Sequence, residues 1–324
     1  MMMKAIVFDR PGNPEVLYIS EREVPEISDN DVLIKVVAAG INRPDIAQRK
    51  GNYPAPKGVV QDILGLEVSG EIVKIGDKVT HFKIGDKVCA LVAGGGYAEY
   101  AAADEGSCLP IPSGIPLEDA AALPEVLFTV WHNLFQRGVL HKGQHALIYG
   151  GSGGIGSIAI QLAHLSGAQV STLVSSQEKE EYCRKLGADT VANYREQNLL
   201  EVWNNNTFDV ILDSVGGKYL DTNLALLKEE GKLVYINAME GGQPRLDIFK
   251  VMQKRIHITG STLRPRSKMF KKELAKDILK YAYPLLENKE FSPCVRYRFS
   301  FKEVVEAHQL MDSRDFFGKI IIFF

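Results

Sequence analysis

Gly150-Gly151-Ser152-Gly153-Gly154-Ile155-Gly156 decides the fold of this chain. The apolar run Ala146-Leu147-Ile148-Tyr149 precedes it, and Ser157-Ile158-Ala159-Ile160-Gln161-Leu162-Ala163 follows with helical character. Gly151, Gly153 and Gly156 fit the pattern G-x-G-x-x-G between a strand and a helix. Each glycine has its own physical task. One makes the tight turn, one lets a pyrophosphate approach the backbone, and one lets the helix pack on the strand. The unpaired N–H groups and partial positive charge of the helix start then face the phosphates. The stretch 150–156 therefore predicts a dinucleotide-binding loop.

Strand and helix signals alternate outward from this loop. Strands are expected at 146–149, 169–174, 190–192, 208–212, 232–236 and 256–259, with helices such as 177–186 and 219–227 between them. This alternation predicts a doubly wound parallel sheet covered on both faces. The first part of the chain reads differently. Short β-rich runs at 5–8, 32–37 and 68–75 are separated by Pro, Gly and Asp, as in a mostly β domain. The tail carries helices at 271–286 and 301–311, an extended stretch at 295–299 and an apolar strand at 319–324. A complete six-stranded sheet leaves that last strand no place, so it is expected to return to the first domain. The cofactor domain is then an insertion with a cleft beside it. The expected division is 1–125 with 266–324 for the β-rich domain and 126–265 for the cofactor domain.

A length of 324 residues fits two domains. A net charge of −2 and the lack of a basic cluster with interleaved aromatics argue against nucleic acid and anionic lipid as partners. The uncharged run 146–163 is long enough to span a membrane, but its central glycines are better explained by the loop. Cys89, Cys108, Cys183 and Cys294 are scattered without a C-x-x-C pair, which points to a reducing, cytoplasmic setting.

Several further motifs stand in order along the chain. They are Ala39-Gly40-Ile41-Asn42-Arg43-Pro44-Asp45, Gly51-Asn52-Tyr53-Pro54, Leu64-Gly65-Leu66-Glu67-Val68-Ser69-Gly70 and Gly94-Gly95-Gly96-Tyr97-Ala98-Glu99-Tyr100. After the loop come Asn193-Tyr194-Arg195-Glu196, Asp213-Ser214-Val215-Gly216-Gly217 and Gly318-Lys319-Ile320. Together they resemble the medium-chain dehydrogenase/reductase superfamily, in particular its zinc-free quinone oxidoreductase branch. Gly260-Ser261-Thr262-Leu263-Arg264-Pro265-Arg266 is similar to the subgroup that contains the tumour-suppressor-inducible quinone oxidoreductase. The resemblance implies a Rossmann NADP-binding domain inserted in a GroES-like catalytic domain.

The same resemblance places the zinc relatives' catalytic cysteine at Asn42 and their histidine at Leu66. Asparagine is a poor zinc ligand and leucine is none, so no metal site is expected. His141 and His145 are no substitute, because Gly143 and the coming strand break any helical pairing. Glu67 is best read as a hydrogen-bonded structural carboxylate. Without a Lewis acid the chemistry must rest on an acceptor that takes hydride readily, a quinone or a conjugated enone. No nucleophilic constellation and no dedicated general acid stand out.

Asn42 and Tyr53 are implied by the resemblance to lie near the nicotinamide, where an amide and a phenol donate hydrogen bonds to a developing oxyanion. The competing readings are a turn role for Asn42 and packing against Pro54 for Tyr53. Arg264 and Arg266 either line the cleft or are solvated.

Charge argues the cofactor's identity. An NAD-dependent fold carries an acid about 20 residues past the fingerprint. Here Ser175 and Ser176 stand at the strand end, with Lys179 one turn on. These residues suit a 2′-phosphate. In NADPH-using relatives the positions of Lys179, Tyr194 and Arg314 surround that phosphate. Glu178 dissents, unless it serves the first turn of its helix. The expected cofactor is NADPH, held by residues 150–156 with Ser175, Ser176, Lys179, Tyr194 and Arg314. The expected activity is NADPH:quinone reduction. The alternatives are alkenal or enone reduction and NADPH binding without turnover. A homodimer is expected through the edge at 256–259, as the relatives pair their last cofactor-domain strands.

Overall fold

A computed structural model describes all residues except 289 and 314. The chain forms two compact units, residues 129–263 and residues 1–128 with 264–324.

The unit 129–263 is built on a six-stranded parallel sheet. Its strands are β1 (His145–Ile148), β2 (Gln169–Val174), β3 (Thr190–Asn193), β4 (Phe208–Asp213), β5 (Leu227–Tyr235) and β6 (His257–Gly260). They lie in the order β3-β2-β1-β4-β5-β6. This is the doubly wound order, in which the direction of winding reverses between β1 and β4. The strands are apolar because the sheet is covered on both faces. Leu147, Leu173, Ile211 and Leu233 are at most 3% exposed. Helix α1 (Gly154–Leu165) follows β1, and α2 (Gln177–Lys185) follows β2. Strand β6 pairs only with β5 among the described residues, and its His257, Ile258 and Gly260 are exposed.

The other unit carries a seven-stranded sheet. Its central strand, Asp31–Ile41, pairs antiparallel with Glu67–Ile75, Tyr100–Asp104 and Lys319–Phe323. The last strand thus does return to the β-rich unit. It enters between Asp31–Ile41 and Val295–Ser300, with which it runs parallel. The core under this sheet includes Ile6, Val32, Ile34, Ile72, Val88, Ile320 and Ile322, each fully buried. The expected single helix over 271–286 is interrupted. Helix Lys268–Asp277 widens into a π turn over Ile278–Ala282 before the last turn, Tyr283–Leu286. No helix among the described residues is long and apolar enough to cross a membrane.

Candidate functional site

The glycine-rich loop leaves β1 and enters α1, whose N-cap is Gly153. A Cβ on Gly151 would lie 2.0 Å from Thr172 Oγ1 of β2, and one on Gly156 would lie 2.2 Å from the Gly150 carbonyl oxygen. Both glycines are therefore demanded by the protein's own packing. Gly153 differs, since a Cβ there would meet only the Gly150 carbonyl oxygen, at 3.3 Å. Among the described residues, apart from its chain neighbours and its own helix, nothing else lies within 4 Å of that position. The space beside the helix start, with Ser152, Gly154 and Ile155 around it, fits an anionic group on the backbone.

The residues chosen for the 2′-phosphate sit at the carboxyl ends of β2 and β3. Ser175 and Ser176 are half-buried. The Ser176 hydroxyl caps α2, accepting from the Lys179 main-chain N–H at 3.4 Å. Lys179 lies in the first turn, as does Glu178, where the helix start favours a carboxylate. Tyr194 follows β3, 45% exposed, with its main-chain N–H on the Val174 carbonyl at 3.1 Å. These four residues are brought together. Arg314 lies outside the described residues.

Deeper at the ends of β1 and β4 is a network the sequence did not disclose. The Tyr149 hydroxyl donates to Asn223 Oδ1 at 2.7 Å, and Asn223 Nδ2 donates to Asp213 Oδ2 at 2.8 Å. Asp213 Oδ1 accepts the Val215 and Gly216 N–H groups, so this buried carboxylate braces the turn after β4.

In the β-rich unit, Asn42 precedes helix Arg43–Arg49, and its main-chain N–H donates to Asp45 Oδ2 at 2.8 Å. Its side chain belongs to a buried triangle. Asn42 Nδ2 donates to Glu67 Oε1 at 2.7 Å, and Lys319 Nζ donates to Asn42 Oδ1 at 2.8 Å and to Glu67 Oε1 at 2.5 Å. Glu67 is fully buried and Lys319 is 2% exposed. Burial of this pair is tolerable because each charge has its opposite and further hydrogen bonds. Gly40 makes room for it, since a Cβ there would lie 2.1 Å from Glu67 Oε1. One amide N–H of Asn42 remains for another partner. Leu66 is buried and apolar, and no group of three His, Cys, Asp or Glu side chains is gathered for a metal ion among the described residues.

Two acids beside the triangle are perturbed. Burial pushes Asp45 up to about 6, against hydrogen bonds from Asn42, Gly65 and Tyr97 that favour its charged form. Burial, and then the Glu67 carboxylate, push Glu125 up to about 7. Tyr53 is half-buried and its phenol is raised, mainly by burial. The Arg264 guanidinium stands 5.4 Å from the centroid of its ring. Arg264 is not solvated. Only 8% exposed, it donates to the Ala93 carbonyl at 2.7 Å and to Gln48 Oε1 at 2.8 Å. Arg266 is exposed and lies 4.0 Å over the Phe270 ring. The buried His308 is disfavoured as a cation. Burial and then Arg49 lower it to about 3, and its Nδ1 faces Arg49 Nη1 at 3.1 Å.

Fold and site together define a two-unit, dinucleotide-binding oxidoreductase. Comparison with known proteins makes the class specific. The family described as "Alcohol dehydrogenase GroES-like domain" matches residues 28–113, and "Zinc-binding dehydrogenase" matches residues 154–279. A chloroplastic NADPH-dependent alkenal/one oxidoreductase of Arabidopsis thaliana is 31% identical over 334 residues, covering 99% of this chain and 79% of that protein. The human quinone oxidoreductase is 28% identical over 331 residues, covering 99% and 98%. The structure of Escherichia coli quinone oxidoreductase complexed with NADPH superposes with a TM-score of 0.86 at 26% identity, covering 99% of both chains. The chain belongs to the medium-chain dehydrogenase/reductase superfamily, among its quinone oxidoreductase-like members.

Proposed function

We propose that the protein is an NADPH-dependent oxidoreductase that reduces a quinone without a metal. The observation that carries this reading is the open face of Gly153, a cradle that a Cβ would fill and that the protein leaves free. Residues 150–156 hold the pyrophosphate, and Ser175, Ser176, Lys179, Tyr194 and Arg314 hold the 2′-phosphate. The relatives support it, being named for NADPH, quinones and alkenals. When bound, the cofactor supplies hydride. Asn42 and Tyr53 donate hydrogen bonds to the acceptor's oxygen, and the Glu67–Lys319 pair fixes the Asn42 amide. Residues 1–125 with 266–324 are the catalytic domain and 126–265 the NADP-binding domain.

The second reading, reduction of a conjugated enone, is favoured by the alkenal/one oxidoreductase of Arabidopsis thaliana. NADPH oxidation measured against a quinone panel and an enone panel separates the two. NADPH binding without turnover of any acceptor would instead establish a non-catalytic binding protein. We further propose a homodimer formed along the open edge of β6, where Ile258 is 38% exposed. A stable monomer in sedimentation at micromolar concentration removes that proposal. A cytoplasmic location is supported by the four buried cysteines, none of which forms a disulfide among the described residues.

A further inference from the structure

Glu125 has a main chain that is held and a carboxyl group that is not. It opens the helix Pro124–Val130, and its N–H donates to Glu67 Oε2 at 2.9 Å. The carboxyl group is half-buried, and no hydrogen bond or ion pair engages it among the described residues. Charged and titratable groups face it from each neighbouring element. These are Glu67, Lys319 of the last strand, Asp45 of helix Arg43–Arg49, Lys271 of helix Lys268–Asp277, and Tyr53 and Arg264 of the connecting segments. A second observation points to a ligand in the same place. Arg264 Nη1 is buried without an acceptor, although the other guanidinium nitrogens are bonded. A buried donor left unpaired is costly, and an oxygen supplied by a ligand would satisfy it.

We infer that Glu125 is the proton donor that completes reduction of the acceptor, whose oxygen is bound by Arg264 Nη1. The inference rests on the hydride-transfer reading above. An acceptor that has taken hydride, at one oxygen of a quinone or at the β-carbon of an enone, carries a negative charge on its other or its only oxygen. The Glu125 O–H bond then breaks. An O–H bond forms on a reduced quinone, or a C–H bond forms at the carbon beside the carbonyl of a reduced enone. Glu125 is left as a carboxylate and is reprotonated from solvent through its exposed side. Two electrons and one hydrogen come from NADPH and one proton from water. Burial and the adjacent Glu67 charge keep the group protonated near neutral pH, as a general acid requires.

The test uses the full chain and the variants E125Q and E125D. In the protein without cofactor, the infrared spectrum is titrated from about pH 5 to about pH 9. Wild type should show a protonated-carboxyl band that disappears near pH 7 and is absent from E125Q. With saturating NADPH, kcat for an enone should fall above about pH 7 in wild type. It should be about 100-fold lower and flat with pH in E125Q. E125D should keep a pH-dependent limb with a moved midpoint. Unchanged NADPH affinity in either variant shows that the site has folded. An E125Q enzyme with wild-type kcat and the wild-type alkaline limb overturns the inference, as does persistence in E125Q of the band lost near pH 7, which is distinct from the loss near pH 6 expected of Asp45. Wild type that reduces no quinone or enone overturns the hydride-transfer reading, and the inference with it, whatever the infrared band shows.

Discussion

The main-chain N–H of Glu125 donates to the carboxylate of Glu67, 58 residues earlier in sequence, across 2.9 Å. One acid is thereby seated beside another. Glu67 accepts hydrogen bonds from Lys319 and Asn42, and its charge makes ionisation of Glu125 harder. Burial and this neighbouring charge favour the protonated form of Glu125, as suits a group that serves as an acid.

This arrangement gives stability a pH dependence. Burial, and then the Glu67 charge, push Glu125 up to about 7 in the folded protein, above the ordinary carboxyl value of 4.5. A raised value means that its contribution is present below about pH 4.5 and is lost as pH rises through about 7. Glu125→Gln should therefore gain stability relative to wild type between pH 5 and pH 8, by on the order of 1–3 kcal/mol. Thermal unfolding of both proteins at the two pH values checks it. A constant difference would mean that Glu125 is not perturbed by folding.

The Glu67–Lys319 pair should behave as a buried ion pair. Lys319→Met strands the Glu67 carboxylate and should cost about 3–5 kcal/mol. Adding Glu67→Gln should recover much of that loss. Urea denaturation of the two single variants and the double variant gives the coupling. Additive losses would show that the pair does not act as a unit.

The glycine loop should separate folding from binding. Gly156→Ala pushes a methyl group into the Gly150 carbonyl and should destabilise the protein by about 1–3 kcal/mol. Gly153→Ala should leave the melting temperature nearly unchanged while NADPH affinity collapses. Calorimetric melting and NADPH titration of the same samples suffice. Equal damage in both assays would place Gly153 with its neighbours as a packing residue.

Cofactor preference should follow Lys179. Loss of a charge-assisted contact of about 1.5–3 kcal/mol weakens NADPH binding by about tenfold or more. NADH, which has no 2′-phosphate, should bind Lys179→Ala almost as it binds wild type. Dissociation constants for both cofactors at fixed salt decide it, and a parallel loss would mean that Lys179 supports the fold.

Chelators should leave turnover unchanged. Asn42, where the resemblance leads one to expect the zinc relatives' cysteine, is engaged by Glu67 and by the Lys319 ammonium. A fixed positive charge already sits against that side chain. Stoichiometric zinc retained by chelator-treated protein would contradict this.

Much of the fold was legible because period and punctuation are local. The run of strands with a glycine loop after the first predicts the six-stranded sheet, and the surplus apolar strand at 319–324 predicts its return to the other unit. The helix Pro124–Val130 and the π turn over Ile278–Ala282 were not legible, since a widened turn leaves no distinct pattern in the sequence. The site was half legible. Gly153, Asn42, Tyr53 and Lys179 stand in recognisable motifs. Glu125 does not, because an acid after a proline reads as an ordinary helix start. Lys319 was visible as part of Gly318-Lys319-Ile320, but its role depends on pairing across 252 residues with Glu67. Arg264 reads equally as a cleft residue or a solvated cation until its burial is known.

The open face of Gly153 also bears on how such a chain can change over generations. On the proposed reading of that position, one nucleotide change should remove the chemistry while asking only a small shift of the Gly150 carbonyl from the fold. A gene of this kind can therefore be retired as an enzyme while its product persists in the cell. The first sign of such a retirement would be a side chain at residue 153, with the packing glycines at 151 and 156 still in place.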